Sequence, residues 1–266
     1  MSKKILVLCM LGLFALTAVF TGCGDTKKEA AGSGSGSAGS GEKVLRVGST
    51  ADFAPFEFQD VDGKEYAGFD MDLIRAVGKE MGYKVEIQNL NFDGLIPALE
   101  ANSIDVIISG MSITDERKGK VAFSKPYYQS GLTIVVRSDN DAVKSFKDLE
   151  GKKIAVQIGT TGATEAKKIA NTQVKEFNSS ADTFLELKAG GVDAVVNDRP
   201  VNDYYIAKSG EKNAKSVSDL LEAEDYGIAM SKKNTELLKK VDEALDKLKQ
   251  NGEYDKIYAK WFGEKK

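Results

Sequence analysis

The chain has no histidine among its 266 residues, and its two cysteines, Cys9 and Cys23, both fall in the first 23. Without histidine there is no Ser-His-Asp or Cys-His nucleophile, no imidazole base and no histidine-ligated zinc. Beyond Cys23 there is neither a thiol nor a disulfide. Neither sign of charge prevails: 37 Lys and Arg stand against 40 Asp and Glu, a formal charge of -3. That excludes the basic groove a nucleic-acid partner demands. Apolar residues make up 42% of the chain, enough for an ordinary globular core, and the length suits one large domain or two small ones.

The longest apolar run, Ile5 to Phe20, has 16 residues and is interrupted by Gly12 and Thr17. A membrane span needs about 20. With Lys3 and Lys4 before it and Thr21-Gly22 after it, the run reads as a cleaved export signal over residues 1–22. Phe20-Thr-Gly-Cys23 resembles a bacterial lipobox, with Phe20 in place of the usual Leu, which makes Cys23 the expected site of lipidation. Residues 24–42 are rich in Gly, Ser and Ala, a flexible tether with a reach of roughly 25 Å. The expected location is therefore the outer face of the bacterial cytoplasmic membrane, held by the lipid anchor.

From Lys43 on, short strands alternate with helices. Val44–Val47 reads as a strand, and Asp70 is placed to cap a helix carrying Leu73, Val77 and Met81 on one face and stopped by Gly82. Strands are predicted at 84–88, 105–108, 132–136, 153–157 and 194–196, and helices at 94–102, 162–170, 181–189, 234–250 and 253–261. This alternation implies parallel sheets flanked by helices, an α/β architecture. Tyr254, Ile257, Tyr258 and Trp261 form the stripe of a docked amphipathic helix.

Two segments align residue for residue: Leu99-Glu-Ala-Asn-Ser-Ile-Asp-Val-Ile-Ile-Ser-Gly110 and Leu187-Lys-Ala-Gly-Gly-Val-Asp-Ala-Val-Val-Asn-Asp198. Each reads as helix end, turn, Asp, buried strand and polar exit. Strand exits are where open α/β sheets place ligands. Two such edges facing each other would make a cleft, with Ser109 and Gly110 on one side and Asn197 and Asp198 on the other.

Seven runs in order, Phe53-Ala-Pro-Phe-Glu-Phe58, Gly68-Phe-Asp-Met-Asp-Leu73, Gly94-Leu-Ile-Pro-Ala-Leu99, Ser112-Ile-Thr-Asp-Glu-Arg117, Pro126-Tyr-Tyr128, Asp193-Ala-Val-Val-Asn-Asp198 and Tyr258-Ala-Lys-Trp-Phe-Gly263, make the chain resemble solute-binding proteins of polar amino-acid ABC importers, most of all the glutamine and arginine receptors. The resemblance implies a two-lobed periplasmic-binding-protein fold with two crossover hinge strands: lobe 1 over 43–126 and 227–266, lobe 2 over 132–221, and hinges at 127–131 and 222–226. It also implies a monomer that binds a free L-amino acid without a cofactor and delivers it to a permease with its ATPase subunits.

An amino-acid zwitterion stripped of water needs a cation and amide donors at its carboxylate, and an anion and acceptors at its ammonium. Arg117 can supply the first through a bidentate fork. Local sequence leaves a second reading open, because Ser112-Ile-Thr-Asp115 is also a capping box and Arg117 would then be a solvated first-turn residue. The resemblance favours the carboxylate role. Gly159-Thr160-Thr161-Gly162 precedes a helix, so its amides suit the same carboxylate. Asp198 is the candidate anion, with the Gly110 carbonyl and Ser112 hydroxyl as acceptors. The resemblance places Phe53 and Phe92 as aromatic walls, both expected in loops after strands. It leaves Thr50 and Asp52 as possible specificity positions. Gln157 and Asn197 offer amide pairing to a neutral polar side chain, which ranks glutamine first and arginine second.

Two rivals remain. A periplasmic dehydratase on the same fold would need a cleft acid. A membrane-linked sensor module would need a spanning helix after the lobes, where the sequence continues only four residues past Phe262.

Overall fold

A computed structural model of the chain describes residues 43–60, 62–208, 213–217, 220–221 and 223–264. The export signal, Cys23 and the tether lie outside the described residues. The elements run β1 (Lys43–Ser49), β2 (Asp52–Phe53), β3 (Glu57–Gln59), β4 (Tyr66–Ala67), α1 (Phe69–Met81), β5 (Tyr83–Asn89), α2 (Phe92–Glu100), β6 (Val106–Ile107), α3 (Asp115–Lys120) and β7 (Ala122–Phe123). They continue with β8 (Tyr128–Arg137), β9 (Lys153–Gln157), α4 (Thr161–Lys168), β10 (Gln173–Phe177), α5 (Ser180–Lys188), β11 (Ala194–Asp198), α6 (Arg199–Lys208) and β12 (Ala214–Val217). The chain closes with β13 (Ala223–Tyr226), β14 (Ala229–Met230), α7 (Thr235–Gln250) and α8 (Glu253–Phe262).

Two mixed sheets organise these elements. One has the order β5-β1-β6-β14-β7, the other β10-β9-β11-β8-β12. β1 pairs in parallel with β5 and β6, and β9 in parallel with β10 and β11. The chain passes from the first sheet to the second along β8 and returns along β13, and these strands pair antiparallel over Tyr128–Gly131 and Ala223–Tyr226. The fold is thus the two-lobed α/β form with two crossover strands.

The aligned segments prove to be the same device in both sheets. Asn102 and Gly190, at equivalent positions after α2 and α5, both take left-handed φ, 57° and 78°. Three residues on, Asp105 and Asp193 each exchange bonds with the neighbouring parallel strand, β1 and β9 respectively. The Asp105 carboxylate accepts from the Arg46 amide at 2.9 Å, and the Asp193 carboxylate from the Lys153 amide at 2.9 Å. Each Asp therefore locks strand register from below, and the strand above it delivers its last residues to the interlobe face.

α8 docks where the strands cross. Tyr254 and Ile257 are buried, Tyr128 packs on Phe262 with centroids 4.9 Å apart, and the Tyr254 hydroxyl donates to the Tyr127 carbonyl at 2.5 Å. Trp261 packs edge-on against Phe58 and also donates its indole N–H to Asp72 at 2.8 Å.

Several local expectations change. Asp70 does not cap α1. The Phe69 and Asp70 amides are satisfied by the Pro55 and Phe56 carbonyls, and the Asp70 side chain is completely buried for another purpose. Gly82 does stop the helix, at φ 71°. Phe53 lies in β2 and Phe92 opens α2, so neither is in a loop. The cap of α3 is Thr114, whose hydroxyl accepts from the Arg117 amide. Three short strands, β2 to β4, form a small sheet, and α6 begins directly at Arg199. Neither had a readable period: the strands have two or three residues, and α6 has only Val201 and Asn202 buried.

Candidate functional site

Between the lobes lies a cavity lined by Thr50, Phe53, Glu57, Phe92, Ser109, Gly110, Ser112, Arg117, Gln157, Thr160, Thr161 and Asp198. The two sheets meet here at their strand exits. Of the eleven residues expected to bind, the fold brings ten together, with Thr50 beside them. Asn197 is not among them. Its amide donates to the Ser180 hydroxyl at 2.9 Å and its carbonyl accepts from Asn202, which turns it into lobe scaffolding. The free space in the cavity is about 10 Å³, room for a single water. A larger guest needs the walls to move. Past Arg117 an open groove of about 1340 Å³ runs between α2, α3 and α4.

At one end stands Arg117, only 8% exposed. Thr114 caps α3 and starts the turn that holds it. Its guanidinium lies 5.2 Å from the centre of the Phe92 ring and donates to the Ser112 carbonyl at 2.8 Å and, across the cleft, to the Gly159 carbonyl at 3.1 Å. Among the described residues no carboxylate forms an ion pair with it. Burial lowers its pKa, opposed by the charges of Glu224 and Asp198. A buried cation bonded only to neutral carbonyls is suited to an anion that can enter beside it.

Facing it is the start of α4. Thr160 caps this helix, its hydroxyl accepting from the Ala163 amide at 3.1 Å and donating to the Gln157 carbonyl at 2.7 Å. No hydrogen bond among the described residues uses the amides of Thr161 and Gly162. The first-turn amides and the helix dipole add to Arg117 as donors for an anion.

Asp198 ends β11 and is buried. It accepts from the Ser130 hydroxyl at 2.8 Å. Burial, and next the nearby Glu224 charge, push its pKa up to about 7. Opposite it, Gly110 adopts φ 50°, and a Cβ there would stand 2.8 Å from the Phe53 ring. Only glycine lets the backbone lie so close to that wall. This end presents a carboxylate, a backbone carbonyl and the Ser112 hydroxyl.

Two acids escaped the sequence reading. Glu224, on β13, accepts from Ser112 at 2.7 Å and from Thr161 at 3.0 Å on one oxygen, so it touches both lobes from the crossover. Its position depends on β13, which has no pattern of its own. Glu57 lines the cavity, fully buried, and accepts from the Ser109 hydroxyl at 2.8 Å. Ser109 in turn receives the Thr50 amide at 3.0 Å. Burial, and next the charge of Asp70, raise the Glu57 pKa well above the carboxylate range. The run Phe53–Phe58 had pointed at Glu57 without giving it a role. Asp52 turns out of the cavity, toward Gln157 and Ser180.

A cation with helix amides at one end and a carboxylate with carbonyl and hydroxyl oxygens at the other complement a zwitterion. Two lobes closing on such a site define a solute-binding protein. The comparisons agree. The model of bacterial extracellular solute-binding proteins, family 3, matches residues 45–264, and the chain belongs to that family. It is 35% identical to the arginine-binding extracellular protein ArtP of Bacillus subtilis (strain 168), over 97% of this chain and 98% of that one. Among solved structures it resembles an ancestral arginine-binding protein bound to arginine (TM-score 0.81, 48% identity, covering 83% of this chain and 98% of that one). An ancestral arginine-binding protein bound to glutamine is similar to the same degree (TM-score 0.81, 49% identity, with the same shares covered).

Proposed function

We propose that the protein is the receptor of an ABC amino-acid importer and binds a free polar L-amino acid between its lobes. The single observation that carries this reading is Arg117, a buried guanidinium that among the described residues bonds to backbone carbonyls alone and faces the start of α4. Arg117 and the Thr161 and Gly162 amides hold the carboxylate. Asp198, the Gly110 carbonyl and Ser112 hold the ammonium, and Phe53 and Phe92 flank the stem. The lobes hinge about β8 and β13, and the closed form docks on the permease.

Arginine now ranks ahead of glutamine. The cavity wall of Thr50, Ser109 and Gln157 offers hydroxyl and amide oxygens as acceptors. The Gln157 amide nitrogen is engaged by the Asn178 carbonyl at 3.0 Å and by Asp52 at 3.4 Å, so its oxygen is the atom left to a ligand. The Thr50 hydroxyl is buried without a partner among the described residues. A guanidinium brings five donors to such a wall and a primary amide two. The arginine-binding relatives support the same order.

A thermal-shift screen of the common amino acids tests the reading. A ligand at 100 times its Kd adds about 2.7 kcal/mol of stability. Arginine giving the largest shift is the expected result, and no shift with any amino acid overturns it. The raised pKa of Asp198 also suits a general acid, so prephenate incubated with the protein is the companion test: its loss would establish the dehydratase alternative. Anchoring through Cys23 is checked by palmitate labelling, which Cys23→Ala abolishes.

A further inference from the structure

Asp52 stands where a specificity residue would be sought, two positions after Thr50, yet it does not line the cavity. Its carboxylate crosses to the other lobe. One oxygen accepts from the Ser180 amide at 3.1 Å, the other from the Gln157 side chain at 3.4 Å. Ser180 is the first residue of α5, and the helix has its own cap in Ser179, whose hydroxyl accepts from the Ala181 amide at 3.1 Å. With that cap, the Ser180 amide has no partner among the described residues of its own lobe. Asp52, carried on β2 of the first lobe, supplies that partner, and its charge sits at the positive end of the α5 dipole. When the lobes separate, these bonds break together and both groups return to water.

We propose that Asp52 is an interlobe latch: by capping α5 from the opposite lobe it stabilises the closed arrangement, and so sets how tightly any ligand is held rather than which ligand is chosen. The proposal rests on the receptor reading above for its ligand, and on the contacts alone for its conformational part. Its link to the ligand is Gln157, which lines the cavity and donates to Asp52 at the same time. A ligand that settles against Gln157 also settles the latch. Differential contacts of this kind are what bias a two-state closure.

The test compares wild type with Asp52→Ala and Asp52→Asn by titration calorimetry against L-arginine and L-glutamine, and by small-angle X-ray scattering with and without each amino acid. A charge-assisted bond present only in the closed form predicts that Asp52→Ala loses roughly tenfold in affinity for both ligands by the same factor. Asp52→Asn, which keeps the shape and one acceptor oxygen but not the charge, loses less. Scattering of Asp52→Ala shifts toward the extended, open profile. A loss for one amino acid more than threefold greater than for the other makes Asp52 a specificity contact and overturns the latch. So do affinities and scattering profiles that match wild type. Should wild type bind neither amino acid, the receptor reading fails, and scattering alone decides the latch: identical profiles for wild type and Asp52→Ala overturn it, and a more open Asp52→Ala sustains it.

Discussion

The Tyr127 hydroxyl donates to Oδ2 of Asp70 at 2.8 Å, and the same oxygen receives the Gly110 amide at 2.8 Å. One carboxylate inside α1 thus ties the residue before the β8 crossover to the strand exit that faces the cavity. Behind it stands Glu57. Asp70 has two donors and Glu57 one, so the shared charge settles on Asp70 and the proton on Glu57. Burial raises the Asp70 pKa to about 6, and burial with the Asp70 charge holds Glu57 higher.

Asp70→Ala leaves the Gly110 amide and the Tyr127 hydroxyl buried without the oxygen that accepts from both. It is expected to lower stability by about 2 to 4 kcal/mol. Denaturant unfolding at pH 7 measures this, and an unchanged midpoint would remove Asp70 from its positioning role.

Arg117→Ala leaves the ligand carboxylate without its cation and is expected to weaken binding by about 2 to 5 kcal/mol. Arg117→Lys recovers only part, since an ammonium cannot form the planar fork. Titration calorimetry distinguishes the two. A loss below threefold for Arg117→Ala would rule out the carboxylate assignment.

Asp198 makes binding depend on pH. Its pKa is about 7 in the protein against 3.8 for the free side chain. In the absence of ligand the folded form holds the extra proton between these values, so this group's contribution to stability is present below 3.8 and is lost as pH rises through 7. Binding of an ammonium works in the opposite direction, because it requires the carboxylate. Affinity is expected to be level above pH 7 and to fall below it with a slope that approaches tenfold per pH unit well under pH 7, where a proton is released on binding. Calorimetry in buffers of different ionisation enthalpy reads that proton. Asp198→Asn should bind weakly and lose the slope.

Gly159 has φ 78°, and a Cβ there would lie 3.1 Å from the Asp93 Cβ and 3.2 Å from its Cα, across the cleft. Gly159→Ala adds about 1 kcal/mol of backbone strain and obstructs closure besides. The expected result is a melting temperature lower by roughly 2 to 4 °C with a loss in affinity of tenfold or more. Affinity that falls only in step with stability would show that the lobes close without this contact.

The primary structure determined much of this protein by itself. The Leu99–Gly110 and Leu187–Asp198 alignment foretold two matching helix-to-strand units, because the left-handed turn at Asn102 or Gly190 is a local device; the Asp three residues on takes its register-locking role from Arg46 or Lys153, 59 and 40 residues away. Around the cavity, Ser109, Gly110 and Asp198 were legible at strand exits and Thr160 and Thr161 at a helix start, whereas Phe53, Phe92 and the role of Arg117 came through the resemblance and not from local pattern. Tertiary structure decided the rest. Asp70 looked like a helix cap until the Pro55 and Phe56 carbonyls took the amides it would have served. Asn197 looked like a ligand contact until Ser180 and Asn202 claimed it. Glu57, Glu224 and Asp52 owe their roles to partners between 52 and 128 residues away. What a buried carboxylate does depends on which donors reach it, and that depends on how the two lobes meet.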